Sequence, residues 1–386
     1  MKKIYQTLGV MSVTLLLASC SDNTHNGSEE TVNKDETVEQ MDEGAEQDTD
    51  MMGEAVDEED PVADEDQATD DSEAQGVTLK LGYGAPHGER SFSAIFVGLD
   101  GDTITHVNID EFQFMDTAGD YHGVPNADSD FGEAYDENQV LISKVENNEA
   151  YSELMAEKAE ATHSLVDGYE AISEFAEGKT ISELEEAIEE LHHVEDPSGI
   201  SDVVSGATLV DTPGYLEEIV NVAKDGFEFS TDNVEDIANV ELSYSLQAPH
   251  GSKSFALVGV LHQDDIILAT IQDELQFMEA TDVEGVPNSD QAFGEAYNEN
   301  TTLISKLANT EIYSELMADK GEATKTYDEN HRAISEFVAG ITVQELQEAI
   351  DKLDGKDTEE NADIVSGATF VDKKGYLEAI LNTIQK

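Results

Sequence analysis

From Val77 onward the chain is one sequence written twice, and any fold must accommodate that repetition. Ala85-Pro-His-Gly88 returns as Ala248-Pro-His-Gly251, Gln113-Phe-Met115 as Gln276-Phe-Met278, and Gly123-Val-Pro-Asn126 as Gly285-Val-Pro-Asn288. Phe131-Gly-Glu-Ala-Tyr135 returns as Phe293 to Tyr297, and Leu141-Ile-Ser-Lys144 as Leu303 to Lys306. Tyr151 to Ala156 matches Tyr313 to Ala318, and Ala171 to Phe175 matches Ala333 to Phe337. The offset stays between 161 and 163 residues, far beyond the period of a solenoid repeat. The pattern implies two tandem domains, 77–226 and 237–386, separated by a short acidic connector near Asp225 to Asp236.

Within one copy, Val77 to Tyr83, Ser91 to Leu99 and Thr103 to Ile109 carry β-type residues, the last two joined by the turn Asp100-Gly-Asp102. An irregular loop is expected over Thr117 to Gly132. The pattern then becomes helical. Glu149 to Ala161 is rich in helix formers, and Thr180-Ile-Ser-Glu183 reads as a capping box opening a helix with Leu184, Ile188 and Leu191 on one face. Leu216, Ile219, Val220 and Ala223 keep the spacing of an amphipathic helix with Pro213 in its first turn; Leu377, Ile380, Leu381 and Ile384 repeat it. Strands first and helices later predict an α+β fold. The recurring Phe114, Met115, Phe131 and Tyr135, with Phe277, Met278, Phe293 and Tyr297, read as core. His87 and His250 read as turn residues, as do Asn126 and Asn288. The pair His192-His193 has no counterpart in the second copy, so no metal site is assigned to it.

The N-terminus serves another purpose. Lys2 and Lys3 precede an apolar run from Leu8 to Leu17 that ends Leu17-Ala-Ser-Cys20. The run is too short for a membrane span and fits a secretory signal. Its end resembles the lipobox of bacterial lipoproteins, which implies a signal peptide over 1–19 and lipidation of Cys20 as the mature N-terminus; an ordinary signal peptide is the rival reading. Cys20 is the only cysteine, so nothing remains for disulfides, thiolate metal sites, iron–sulfur ligation or haem attachment. Any redox chemistry would need another cofactor. Residues 21–76 hold 22 acidic residues and one basic one, Lys34, with few apolar side chains. Such a segment is expected to be disordered, and directly after a lipid anchor it would act as a tether. The formal charge of −68 repels nucleic acid and anionic lipid, and suits a protein in high salt.

Two short stretches carry the chemistry: Asp202-Val-Val-Ser-Gly-Ala-Thr208 and Asp363-Ile-Val-Ser-Gly-Ala-Thr369. Small residues let another molecule approach the backbone closely, and a helix N-terminus just beyond offers amides to a phosphate. The threonine hydroxyl could accept a phosphoryl group, and a tight turn into a helix is the plainer alternative. The stretch resembles the flavinylation motif of the FMN-binding domain family, in which a flavin transferase joins the FMN phosphate to the final threonine as a phosphodiester. The resemblance implies two covalent FMN groups, on Thr208 and Thr369. It further implies recognition loops formed by Asp202, Ser205, Gly206 and Ala207, and by Asp363, Ser366, Gly367 and Ala368.

With the lipobox and acidic spacer, the whole arrangement is similar to the flavinylated lipoproteins of Gram-positive extracellular electron transfer. That similarity implies an electron carrier on the outer face of the cell membrane, without a substrate pocket of its own. It would receive electrons from a membrane quinol-oxidising partner and pass them to extracellular acceptors. Two rivals remain at this stage: a duplicated solute- or wall-binding lipoprotein without flavin, and a flavin-dependent reductase of one small molecule.

Overall fold

The computed structural model describes residues 75–159, 161–194, 199–206, 209–234, 239–321, 324–353, 364–369 and 371–386. The expected signal peptide, Cys20 and almost the whole tether lie outside these residues, as do Ala207, Thr208 and Asp363. The described residues all fall within one compact unit, Thr69–Lys386.

The first half runs β1 (Gln75–Gly84), β2 (Ser91–Asp100), β3 (Thr103–Asp116), a 3-10 turn at Gly132–Ala134 and β4 (Gln139–Ser143). Helices follow: α1 (Asn148–Ala159), α2 (Leu165–Ala176), α3 (Ile181–His192), the single turn α4 (Ile200–Val203) and α5 (Thr212–Asp225). After a strand β5 (Phe227–Val234), the order recurs as β6 (Val240–Gln247), β7 (Ser254–Gln263), β8 (Ile266–Glu279), a 3-10 turn at Gly294–Ala296 and β9 (Thr301–Ser305). The second set of helices is α6 (Thr310–Gly321), α7 (Tyr327–Val338), α8 (Val343–Leu353) and α9 (Lys373–Gln385). Every strand pairing is antiparallel, in sheets ordered β4-β3-β2-β1-β5 and β6-β7-β8-β9. The class is α+β.

Why β2 and β7 read as near-continuous apolar runs is explained by what covers them. Successive side chains on a strand face opposite ways, and both faces of each sheet are buried. Phe92, Ala94 and Phe96 enter a core shared with Phe255, Leu257 and Leu261 of the other sheet. The alternate Ile95, Val97 and Leu99 pack against the first set of helices, and Ala256, Val258 and Val260 against the second. The layers are therefore helices, sheet, sheet, helices.

The recurring aromatics fill the central layer, with ring centroids 5.2 Å apart for Phe92–Phe293 and for Phe131–Phe255. Met115 differs: it packs on the helix side. Asn126 and Asn288 do occupy turns, at φ 66° and 65°, and they also join the halves. Asn126 Nδ2 donates to the carbonyls of Gly251 (2.9 Å) and Ser254 (2.7 Å), and Asn288 Nδ2 to those of Gly88 and Ser91 (both 2.7 Å).

The stretch near Asp225 to Asp236, read from sequence as a connector, contains β5, which pairs with β1 and extends the first sheet. Phe227 and Phe229 supply its period-2 pattern; the acidic residues around them hide it. Among the described residues no helix is long and apolar enough to cross a membrane.

Candidate functional site

Each half centres on a carboxylate buried in mid-strand. On β3, Asp110 and Glu111 are neighbours and point to opposite faces: Asp110 enters the layer between the sheets, Glu111 the layer between sheet and helices. Glu111 Oε1 accepts from Lys144 Nζ at 2.6 Å and from the Ser91 hydroxyl; Oε2 accepts from Tyr169 (2.8 Å) and from Tyr215. Lys144 follows β4 directly, so the pairing of β3 with β4 carries the ammonium to the acid. The second half repeats the arrangement. Glu274 accepts from Ser254 (2.9 Å), Lys306 (2.7 Å) and Tyr376 (2.9 Å).

Burial opposes ionisation of Glu111, but the Lys144 ammonium, and then His87, outweigh it and hold the carboxyl below its ordinary range. Glu274 behaves alike: burial acts upward, Lys306 and His250 pull harder, and the group lies well below the usual carboxylate value. Lys144 is raised, since Glu111 outweighs the burial that would lower it. These are buried ion pairs in which each carboxylate also accepts from serine and tyrosine hydroxyls, the kind of support under which such pairs survive desolvation.

The described residues of the two Ser-Gly-Ala-Thr loops pack against α2 and α7. Gly206 and Gly367 adopt φ of 88° and 93°, a region that favours glycine, and a Cβ there would come within 3.3 Å of Ala171 or Ala333. Val204 and Val365 anchor the loops in the cores, Ala368 is buried, and Ser205 and Ser366 are exposed. The Ala-Pro-His-Gly turns press on the helices that follow. The carbonyl of Pro86 lies 3.1 Å from where a Cβ on Gly214 would stand, a tight fit, and that of Pro249 2.1 Å from the equivalent point on Gly375, where only glycine fits.

This contact gives the turn histidines partners. His87 Nδ1 is 2.6 Å from Asp211 Oδ2. His250 lies between Glu274 Oε2, 3.9 Å from Nδ1, and Asp372 Oδ2, 3.5 Å from Nε2. The bond to Asp211 raises His87, and Glu274 raises His250.

In the first half these parts enclose a cavity of about 430 Å³. Leu154, Met155, Leu165 and Leu209 form an apolar wall, and His87, Glu111, Lys144 and Tyr215 a polar end. Leu209, Val210 and Asp211, the three residues following Thr208, line it.

Of the residues singled out from sequence, Ser205 and Gly206 follow α4 in one loop, and Ser366, Gly367, Ala368 and Thr369 lie in the equivalent loop of the second half; none of these lines the cavity. The backbone of Asp202 lies in α4; Ala207, Thr208 and Asp363 are outside the described residues. Sequence reasoning missed the Glu111–Lys144 and Glu274–Lys306 pairs. The signal available was an acidic pair, Asp110-Glu111, recurring as Asp273-Glu274 inside an apolar strand pattern.

No family model, curated protein sequence or solved structure matches the chain.

Proposed function

We propose that this chain is a membrane-anchored extracellular flavoprotein of two tandem homologous domains, each carrying FMN as a phosphodiester, on Thr208 and on Thr369. A flavin transferase attaches the groups. A membrane quinol-oxidising partner supplies electrons, and extracellular acceptors receive them. Cys20 carries the lipid, and residues 20–76 form the tether.

One observation carries the reading: the cavity in the first half begins at the residue immediately after Thr208. Its lining suits a flavin, because an apolar wall can cover a flat heteroaromatic ring while buried donors and a carboxylate meet the ring's polar edge. When bound, FMN supplies one- and two-electron chemistry, and the protein supplies position and electrostatics.

The chain's own groups have defined parts. Leu154, Met155, Leu165 and Leu209 exclude water. Lys144 and Glu111 fix a charge pair at the inner end, and Tyr215 and Tyr169 hold Glu111 in place. His87, half-exposed and bonded to Asp211, holds a proton between solvent and the cavity. In the second half, Glu274, Lys306, Tyr376 and His250 take these places. The halves share a core within one compact unit, and movement relative to the membrane falls to the tether.

The test is the intact mass of denatured protein made with and without a co-expressed flavin transferase. Wild type should gain two FMN groups, Thr208→Val and Thr369→Val one each, and the double variant none. Unmodified wild type, with the transferase active on a control substrate, would overturn the reading and leave a binding lipoprotein.

A further inference from the structure

The two halves differ at the acceptor loop. In the second half, the backbone N–H and the hydroxyl of Thr369 both donate to Asn330 Oδ1, at 2.5 and 3.0 Å. Asn330 is fully buried on α7. Its Nδ2 donates to the carbonyls of Lys325 (3.1 Å) and Thr326 (2.8 Å), so the amide has one orientation, with its oxygen towards Thr369. A hydroxyl whose hydrogen is engaged in this way directs its lone pairs elsewhere.

Amines surround the same loop. Lys325 Nζ lies 3.2 Å from where a Cβ on Gly367 would stand, and Lys373 Nζ donates to the Ala368 carbonyl at 2.8 Å. The first half carries other residues at these positions. Counting back from the shared Ala171 and Ala333, the counterpart of Asn330 is Gly168, and that of Lys325 is His163. Lys373 corresponds to Thr212. Beside Gly168 the space is taken by Leu209, 3.1 Å from the position of an added Cβ.

We propose that Asn330 is a positioning residue for phosphoryl transfer to Thr369, and that the two acceptor threonines are therefore inequivalent. This rests on the flavin reading above. The Oγ–P bond forms as the phosphoanhydride P–O bond of an activated flavin nucleotide breaks and a nucleoside monophosphate leaves; the hydroxyl proton, which the neutral Asn330 amide cannot take, passes to a base on the transferase, and no electrons are transferred. Asn330 fixes the direction of attack. Lys325 faces the single negative charge that the diester retains; the first half has His163 at that position.

The experiment follows modification of the full chain over time with flavin transferase and its flavin nucleotide donor, and reads the Thr208 and Thr369 peptides separately by mass spectrometry. Thr369 should be modified faster in wild type. Asn330→Ala should slow Thr369 by roughly tenfold, the order expected for loss of one positioning hydrogen bond, and leave Thr208 unchanged. Asn330→Asp keeps an acceptor oxygen and loses both donors, so it should lower the melting temperature while preserving the rate at Thr369.

Equal wild-type rates with no effect of Asn330→Ala would overturn the proposal. So would Thr369 rates that follow melting temperature in both variants, which is the signature of a merely structural role. No modification of either threonine in wild type would instead overturn the flavin reading itself.

Discussion

The Tyr83 hydroxyl of β1 donates to Asp273 Oδ2 of β8, in the opposite half, at 2.7 Å. Tyr244 of β6 returns the bond to Asp110 Oδ2 of β3 at 3.0 Å. Both acids are completely buried in the layer between the sheets, and each also accepts from a serine of its own half, Ser305 or Ser143. A buried polar group must be paired, and here one of each acid's donors arrives only when the other half is docked. The exchange fixes the register of the two sheets, and with it the placement of both candidate sites.

Stability should therefore fall as pH rises through neutrality. Burial pushes Asp110 up to about 7 and Asp273 up to about 6. A carboxyl that binds its proton more tightly folded than unfolded contributes stability that is complete below its ordinary value and lost as pH rises through its folded one. His87, raised by its bond to Asp211, and His250, raised by the nearby Glu274 carboxylate, add to the same trend. The Asp110→Asn/Asp273→Asn variant keeps a neutral acceptor for each tyrosine. Its melting temperature should vary less than that of wild type between about pH 5 and about pH 8; an unchanged slope would show that the two acids do not titrate in this range.

The asparagine lock between halves should be separable into backbone and side-chain parts. Asn126 holds φ at 66° and makes two bonds to the opposite half. Asn126→Gly keeps the turn and loses the bonds; Asn126→Ala loses both. In denaturant unfolding we expect the glycine variant to cost about 1–3 kcal/mol and the alanine variant about 1 kcal/mol more, for strain. Wild-type stability in Asn126→Gly would mean that the bonds to Gly251 and Ser254 contribute nothing.

Local signals carried much of the architecture. The capping box at Thr180 and Glu183 forms in full, and Leu184, Ile188 and Leu191 are buried on one helix face as their spacing predicts. Pro213 sits in the first turn of α5. What escaped depends on partners distant in sequence. β4 is a five-residue strand recognisable only once β3 is there to pair with it. α2 opens with the less common Ser164–Asp167 pairing and contains Gly168, so it carried no strong mark. The candidate site suffered most: Glu111 and Lys144 are 33 residues apart and meet only through that strand pairing. The two Ser-Gly-Ala-Thr stretches needed no tertiary information to be seen, but the buried pairs did.

The Glu111–Lys144 pair should be worth more intact than its hydrophobic replacement suggests. Lys144→Met leaves a carboxylate buried with only hydroxyl partners, a loss of about 3–5 kcal/mol. Glu111→Leu leaves the ammonium, with the Tyr151 ring at 4.7 Å as its remaining contact. The double variant Glu111→Leu/Lys144→Met removes both charges and should cost clearly less than the sum of the singles. Additive losses in denaturant unfolding would mean that the two charges are not coupled.

Gly367 supplies the last test, since it separates the loop's shape from its hydroxyl. At φ 93° an alanine is strained by about 1–2 kcal/mol, and its Cβ would stand 3.2 Å from Lys325 Nζ and 3.3 Å from Ala333 Cβ. Lys325 can swing aside, but relief against Ala333 shifts the loop away from α7, which pulls Thr369 from Asn330 while leaving the hydroxyl chemically intact. On the flavin reading, Gly367→Ala should keep its FMN at Thr208 and lose most of that at Thr369, with a modest fall in melting temperature. Full modification at Thr369 would show that the transferase reads the threonine in an extended, displaced loop, and that the folded geometry around it serves a later step.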